Sequence, residues 1–164
     1  MTGAPAKADI ERELLHAWQE LASAVDSFSE AEMEQAGVIE GWSVKDLLGH
    51  IAFWADKAAA DFEAVAGGRP EEVATPGSEK AVDEWNERER QSRAGRPLAE
   101  IREEWLESFQ KAMDALAAFP AERLQEKVKG RTVLDRFAGD TYEHYREHFG
   151  DLSAWRRELE TTEE

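Results

Sequence analysis

Apolar residues recur at helical spacing in every long segment of this chain, and no long segment alternates as a half-buried strand would. This restricts the fold to helices that bury one stripe each. In the first segment Ile10, Leu14, Trp18, Leu21, Val25 and Phe28 fall in one stripe when rotated at about 100° per residue. His16 lies nearly opposite and reads as a surface residue. Gly41 and Trp42 break the chain. Ser43 then opens a second helix with Asp46 three residues on, a capping-box arrangement, and Trp42 is placed to staple the helix entry. Leu47, Ile51, Trp54, Ala58, Phe62 and Val65 form the buried stripe of this helix, which Gly67-Gly68 ends.

Residues 69–78 hold two of the five prolines and read as a crossing loop. A polar, short extra helix is expected over 79–93, anchored by Val82 and Trp85. Pro97 then suits the first turn of a helix carrying Leu98, Ile101, Trp105, Phe109, Ala112 and Leu116, which stops near Pro120. After an irregular connection over 120–130, one last helix is expected from about Thr132 to Glu158. Val133, Phe137, His144, His148, Leu152 and Trp155 share a broad face of it. The acidic end, residues 160–164, is expected to fray. Four principal helices in one domain of 164 residues predict an all-α four-helix bundle. Trp18, Trp54, Trp105 and Trp155 occupy stripe positions and are expected to pack in its core.

Composition removes several function classes. With no cysteine there is no disulfide, thiolate metal site or cysteine nucleophile. The 20 Lys and Arg against 36 Asp and Glu leave a formal charge of −16, a field that repels phosphate backbones and anionic lipid. No nucleic acid and no membrane partner is therefore expected. With neither a signal-peptide core nor a membrane span in the sequence, the expected address is cytoplasmic.

The chemistry concentrates on the histidines. His144 and His148 stand one above the other on an inward helix face, about 6 Å apart along the axis. His50 lies about 60° from the centre of its stripe and borders the core. Imidazoles so placed can share a divalent transition metal, with zinc, nickel and iron all suited to nitrogen ligands. Equally, they can be core polar residues, or pair with glutamates such as Glu143 and Glu147. Asp140, one turn before His144, extends the polar streak as an orienting carboxylate, a base, or an exposed helix residue. Asp83, Trp85 and Asn86 are placed to line a pocket mouth.

Two segments carry a family likeness. The stretch Gly41-Trp-Ser-Val-Lys-Asp-Leu-Leu-Gly-His50-Ile-Ala-Phe-Trp54 resembles the second-helix signature of the DinB superfamily, which includes mycothiol-dependent maleylpyruvate isomerases. The closing Asp140-Thr-Tyr-Glu-His144-Tyr-Arg-Glu-His148-Phe-Gly-Asp-Leu-Ser-Ala-Trp155 looks more like the ClbS/DfsB branch; residues 66–130 match mainly in helical layout. The resemblance implies an up-down-down-up bundle, often a homodimer, with metal ligands at His50, His144 and His148. It also implies a metal-dependent enzyme acting on small electrophiles, by hydrolysis or by transfer of a low-molecular-weight thiol. The alternative is a non-catalytic bundle that binds a metal or ligand under stress.

Overall fold

The computed structural model describes residues 5–163. Its helices are α1 (Lys7–Asp26), α2 (Glu30–Met33), α3 (Val44–Ala66), α4 (Glu79–Arg93), α5 (Leu98–Ala118), α6 (Val133–Asp140) and α7 (Tyr142–Thr162). The stripes read from the sequence face the interior. Ile10, Leu14, Leu21 and Val25 of α1, with Leu47, Ile51, Phe62 and Val65 of α3, are sealed from solvent. Among the described residues no helix is long and apolar enough to cross a membrane.

Contacts between named side chains fix the helix directions. A Cβ built on Gly49, early in α3, would lie 3.8 Å from Ile101, early in α5. At the far ends Phe62 stacks on Phe119 with ring centroids 4.4 Å apart, so α3 and α5 run parallel. Helix α1 opposes α5: Lys7 donates to the Ala117 carbonyl at 2.6 Å, while Asp26 pairs with Arg102 at 3.8 Å. Helix α7 follows α1, through Glu13 with Arg146, Trp18 with Tyr145, and Phe28 beneath the Arg156 guanidinium. The order is up-down-down-up. Phe62 lies at the crossing point, stacked between Phe119 and Phe137 with centroids 4.4 Å away on both sides. Removing its ring would cost about 3–5 kcal/mol.

Helix α4 occupies the predicted 79–93 span and buries no residue fully. It is held from outside, by Trp85 stacked on Trp54 at 5.9 Å and by Arg93 paired with Glu104 at 2.7 Å. The irregular 120–130 connection leads into a hairpin, β1 (Lys127–Val128) against β2 (Arg131–Thr132). Its two central residues, Lys129 at φ 52° and Gly130 at φ 87°, both take the left-handed backbone that fits a two-residue hairpin.

The expected continuous last helix is broken. Thr141, fully buried, adopts φ −123° and ψ −100° and separates α6 from α7. Its hydroxyl needs a partner in the core and donates to the Phe137 carbonyl at 2.7 Å. Back-bonding of this kind bends helices, and here it accompanies a full break. The end expected to fray, residues 160–164, is described as far as Glu163. Helix α7 continues to Thr162, because Leu159 is buried and the Thr161 and Thr162 hydroxyls bond back to Arg157 and Glu158 carbonyls. Glu164 lies outside the described residues.

Candidate metal centre

Three local devices bring the histidines together. The Ser43 hydroxyl accepts the Asp46 N–H at 3.1 Å, and the Asp46 carboxylate accepts the Ser43 N–H at 3.0 Å. This reciprocal cap sets the start of α3 and hence the direction of His50, two turns in. Gly49 lets the Arg93 side chain cross α3 beside His50; a Cβ there would lie 2.7 Å from Arg93 Cδ. The break at Thr141 then sets the rotation of α7 independently of α6.

The outcome is convergence on one point. Nε2 of His144 lies 2.9 Å from Nε2 of His50 and 2.8 Å from Nε2 of His148. His148 is buried, and the other two are half-buried. Nδ1 of His148 sits 2.9 Å from the Asp151 carboxylate, so it carries the hydrogen and turns the Nε2 lone pair inward. His144 Nε2 faces both neighbours with at most one hydrogen to share, which leaves the cluster poorly satisfied by its own hydrogen bonds.

A shared cation removes that conflict at Nε2. Metal–nitrogen bonds of about 2.0–2.1 Å imply nitrogens about 3.0 Å apart at right angles and about 3.4 Å apart at tetrahedral angles. The observed spacings need to open by only a few tenths of an ångström for the former. The donor set therefore fits a divalent transition metal held by three neutral imidazoles. Electrostatics agree. Burial, reinforced by His148 and Arg93, pushes His50 down to about 3, and burial with its two imidazole neighbours holds His144 well below the usual range. Both are uncharged near neutrality, as ligands must be.

The Nδ1 atoms of His50 and His144 are buried without a hydrogen-bond partner among the described residues. Asn86 approaches the former and favours its protonated form, while its amide oxygen accepts the Trp54 indole N–H at 2.8 Å. Trp42 presents its ring edgewise to His50, centroids 5.4 Å apart.

The triad opens on a cavity of about 900 Å³. Trp42, Trp54 and Asn86 line one side, Asp140, Arg131 and Arg136 another. Asp140, expected to reach His144 along one helix, ends α6 ahead of the break and bonds to none of the three imidazoles among the described residues. Burial pushes its carboxyl up to about 7, Asp61 adds to this, and Lys57, Arg131 and Arg136 oppose it. The carboxylate that does touch a histidine of the triad is Asp151, which sequence reasoning missed; its signal was the three-residue spacing from His148. Of the mouth residues, Asp83 and Asn86 line the cavity, whereas Trp85 packs on Trp54 and Phe53. His16 is exposed beside Glu20, away from the site.

Comparison with known proteins places this architecture. No curated protein matches the chain. An uncharacterised protein from Escherichia coli UTI89 superposes with a TM-score of 0.82 at 13% identity, covering 96% of each chain. The colibactin self-resistance protein ClbS, in complex with a dsDNA, gives 0.82 at 12% identity, over 95% of this chain and 98% of that one. DfsB, described as a sibling lethal factor precursor, gives 0.79 at 9% identity, over 96% and 98%. These likenesses establish the fold. The dsDNA in the ClbS structure also shows that the expected lack of nucleic-acid partners does not hold for that relative. Residues 14–149 match the mycothiol maleylpyruvate isomerase N-terminal domain, and the chain belongs to that DinB-like family of helical bundles.

Proposed function

We propose that this protein is a metal-dependent enzyme acting on small reactive electrophiles, by hydrolysis or by transfer of a low-molecular-weight thiol. The observation that carries this reading is the convergence of His50, His144 and His148 at the wall of an open cavity. Three protein ligands leave positions free, the arrangement of catalytic rather than structural sites. When bound, a zinc, nickel or iron(II) ion supplies Lewis acidity that makes a water or thiol nucleophilic near neutral pH.

The chain's own residues do the rest. Asp151 holds the tautomer and direction of His148. Asp140, on the cavity wall with its carboxyl raised to about 7, is suited to exchange a proton near neutrality. Trp42 and Trp54 keep one side of the cavity apolar. The self-resistance role of the similarly folded ClbS supports a protective chemistry, disarming a reactive molecule.

The test has two stages. Protein purified without an affinity tag is expected to hold one equivalent of metal by elemental analysis. His144→Ala and His148→Ala should lose it and His16→Ala should retain it. The holo protein is then incubated with a panel of electrophiles (epoxides, activated alkenes, alkyl halides), with and without mycothiol, bacillithiol or glutathione. Metal without turnover of any of them would favour sequestration, and absence of metal even after reconstitution would end the enzyme reading.

A further inference from the structure

We propose that the cavity wall formed by Lys57, Arg131 and Arg136 is a subsite for a carboxylate, so that the molecule presented to the histidines is a small organic acid. This rests on the triad being the reacting end of the cavity. The first support is a mismatch of partners. In a chain with 36 acidic and 20 basic residues, guanidinium groups have many carboxylates to choose from. Most of the arginines take one. Arg131 and Arg136 form no ion pair among the described residues, and both line this cavity.

Their hydrogen bonds go to neutral acceptors instead. Arg136 donates to the Val128 carbonyl at 2.8 and 3.1 Å and to the Lys129 carbonyl at 3.1 Å. Arg131 donates to the Asp135 carbonyl at 3.3 Å. Carbonyls fix a guanidinium in place without cancelling its charge. Lys57, on the facing helix α3, completes the wall and is paired with Asp61 at 2.6 Å. Asp61, which takes Lys57, and Asp140 are the carboxylates beside this wall. Burial raises the Asp140 carboxyl to about 7, so it carries less than a full charge near neutrality, and the two guanidinium groups keep capacity for an incoming anion.

The site therefore has directional chemistry. Cations gather at the α6 side, whereas Asp83, Glu87 and Glu40 lie toward α4 and the turn before α3. A planar carboxylate matches the guanidinium fork, and the indoles of Trp42 and Trp54 suit a flat apolar body.

Benzoate and its neutral isostere benzamide test this by isothermal titration at low salt, against zinc-loaded and zinc-free protein. We expect the wild type to prefer benzoate by about tenfold or more in both forms, the scale of a charge-assisted hydrogen bond. Arg131→Gln, at an exposed position, should bring the preference within about threefold while zinc content is unchanged. Arg136→Gln should act in the same direction, but it also removes donors to the hairpin, so Arg131→Gln is the deciding variant. Equal binding of the two probes would overturn the proposal. So would a benzoate preference that survives Arg131→Gln or disappears with zinc, since the carboxylate would then sit on the metal. A protein that takes up no zinc yet shows an Arg131-dependent preference would retain the subsite and lose the metal reading.

Discussion

The Asp151 carboxylate lies 2.9 Å from Nδ1 of His148, one helical turn before it. That contact fixes which nitrogen of His148 faces the triad, and a carboxylate behind a ligand histidine also raises its basicity. Asp151→Asn should therefore weaken zinc affinity by about 10–100-fold, while the fold is retained because Asp151 is a rim residue outside the apolar core. Competition with a chromophoric chelator measures this. Unchanged affinity in a folded variant would show that Asp151 has no orienting role.

The stripes of α1, α3 and α5 were legible because each keeps one apolar face at constant rotation. The same logic brought His50, His144 and His148 to one side. It failed at Thr141. Rotation along a helix assumes an unbroken ladder, and the backbone of Thr141 leaves helical dihedrals and interrupts it. Asp140 and His144 therefore belong to different helices, although both line the cavity. The hairpin was hidden because Lys129-Gly130 lacks the usual Asn-Gly turn signal and its strands are two residues each. Pairing of Arg131 and Arg136 with one cavity depends on that hairpin, so the cationic wall was invisible too.

Acid should destabilise the metal-free protein in a defined window. His50 titrates at about 3 in the fold against an ordinary value of 6.5, so the unfolded chain binds more protons between those limits. Stability is fully present above 6.5 and is lost as pH falls toward 3. His144, also held down by burial, acts in the same sense. Urea midpoints at pH 7 and pH 5 should differ for the wild type, and His50→Gln should narrow the gap. Equal gaps would contradict neutral, buried imidazoles.

Asp140 has the opposite sign. Its carboxyl is raised from 3.8 to about 7, so between those values the folded protein binds the extra proton. Its contribution is fully present below 3.8 and is lost as pH rises through about 7. Asp140→Asn should raise the thermal midpoint of the metal-free protein at pH 8, by roughly 2–4 °C for each kcal/mol recovered, with little effect at pH 4. In an active preparation the same variant should remove a limb near pH 7 from the rate profile. A merely structural role for Asp140 would leave that limb in place.

Gly37 ties the aromatic wall to the last helix. At φ 132° it occupies backbone that side chains rarely adopt, and a Cβ there would come within 2.6 Å of the Trp155 ring. Both the strain and the overlap fall on a turn in which the Gly37 and Val38 N–H groups donate to the Trp42 carbonyl at 2.9 Å. Gly37→Ala should therefore destabilise the protein by about 1–3 kcal/mol. Because Trp42 is edge-on to His50, the substitution should also disturb the site, shown as altered tryptophan emission on zinc binding. Gly41→Ala is the control: it too has positive φ, 87°, but nothing among the described residues lies within 4 Å of its added Cβ. It should carry the strain without the overlap, and a loss as large as that of Gly37→Ala would show that the Trp155 contact contributes nothing.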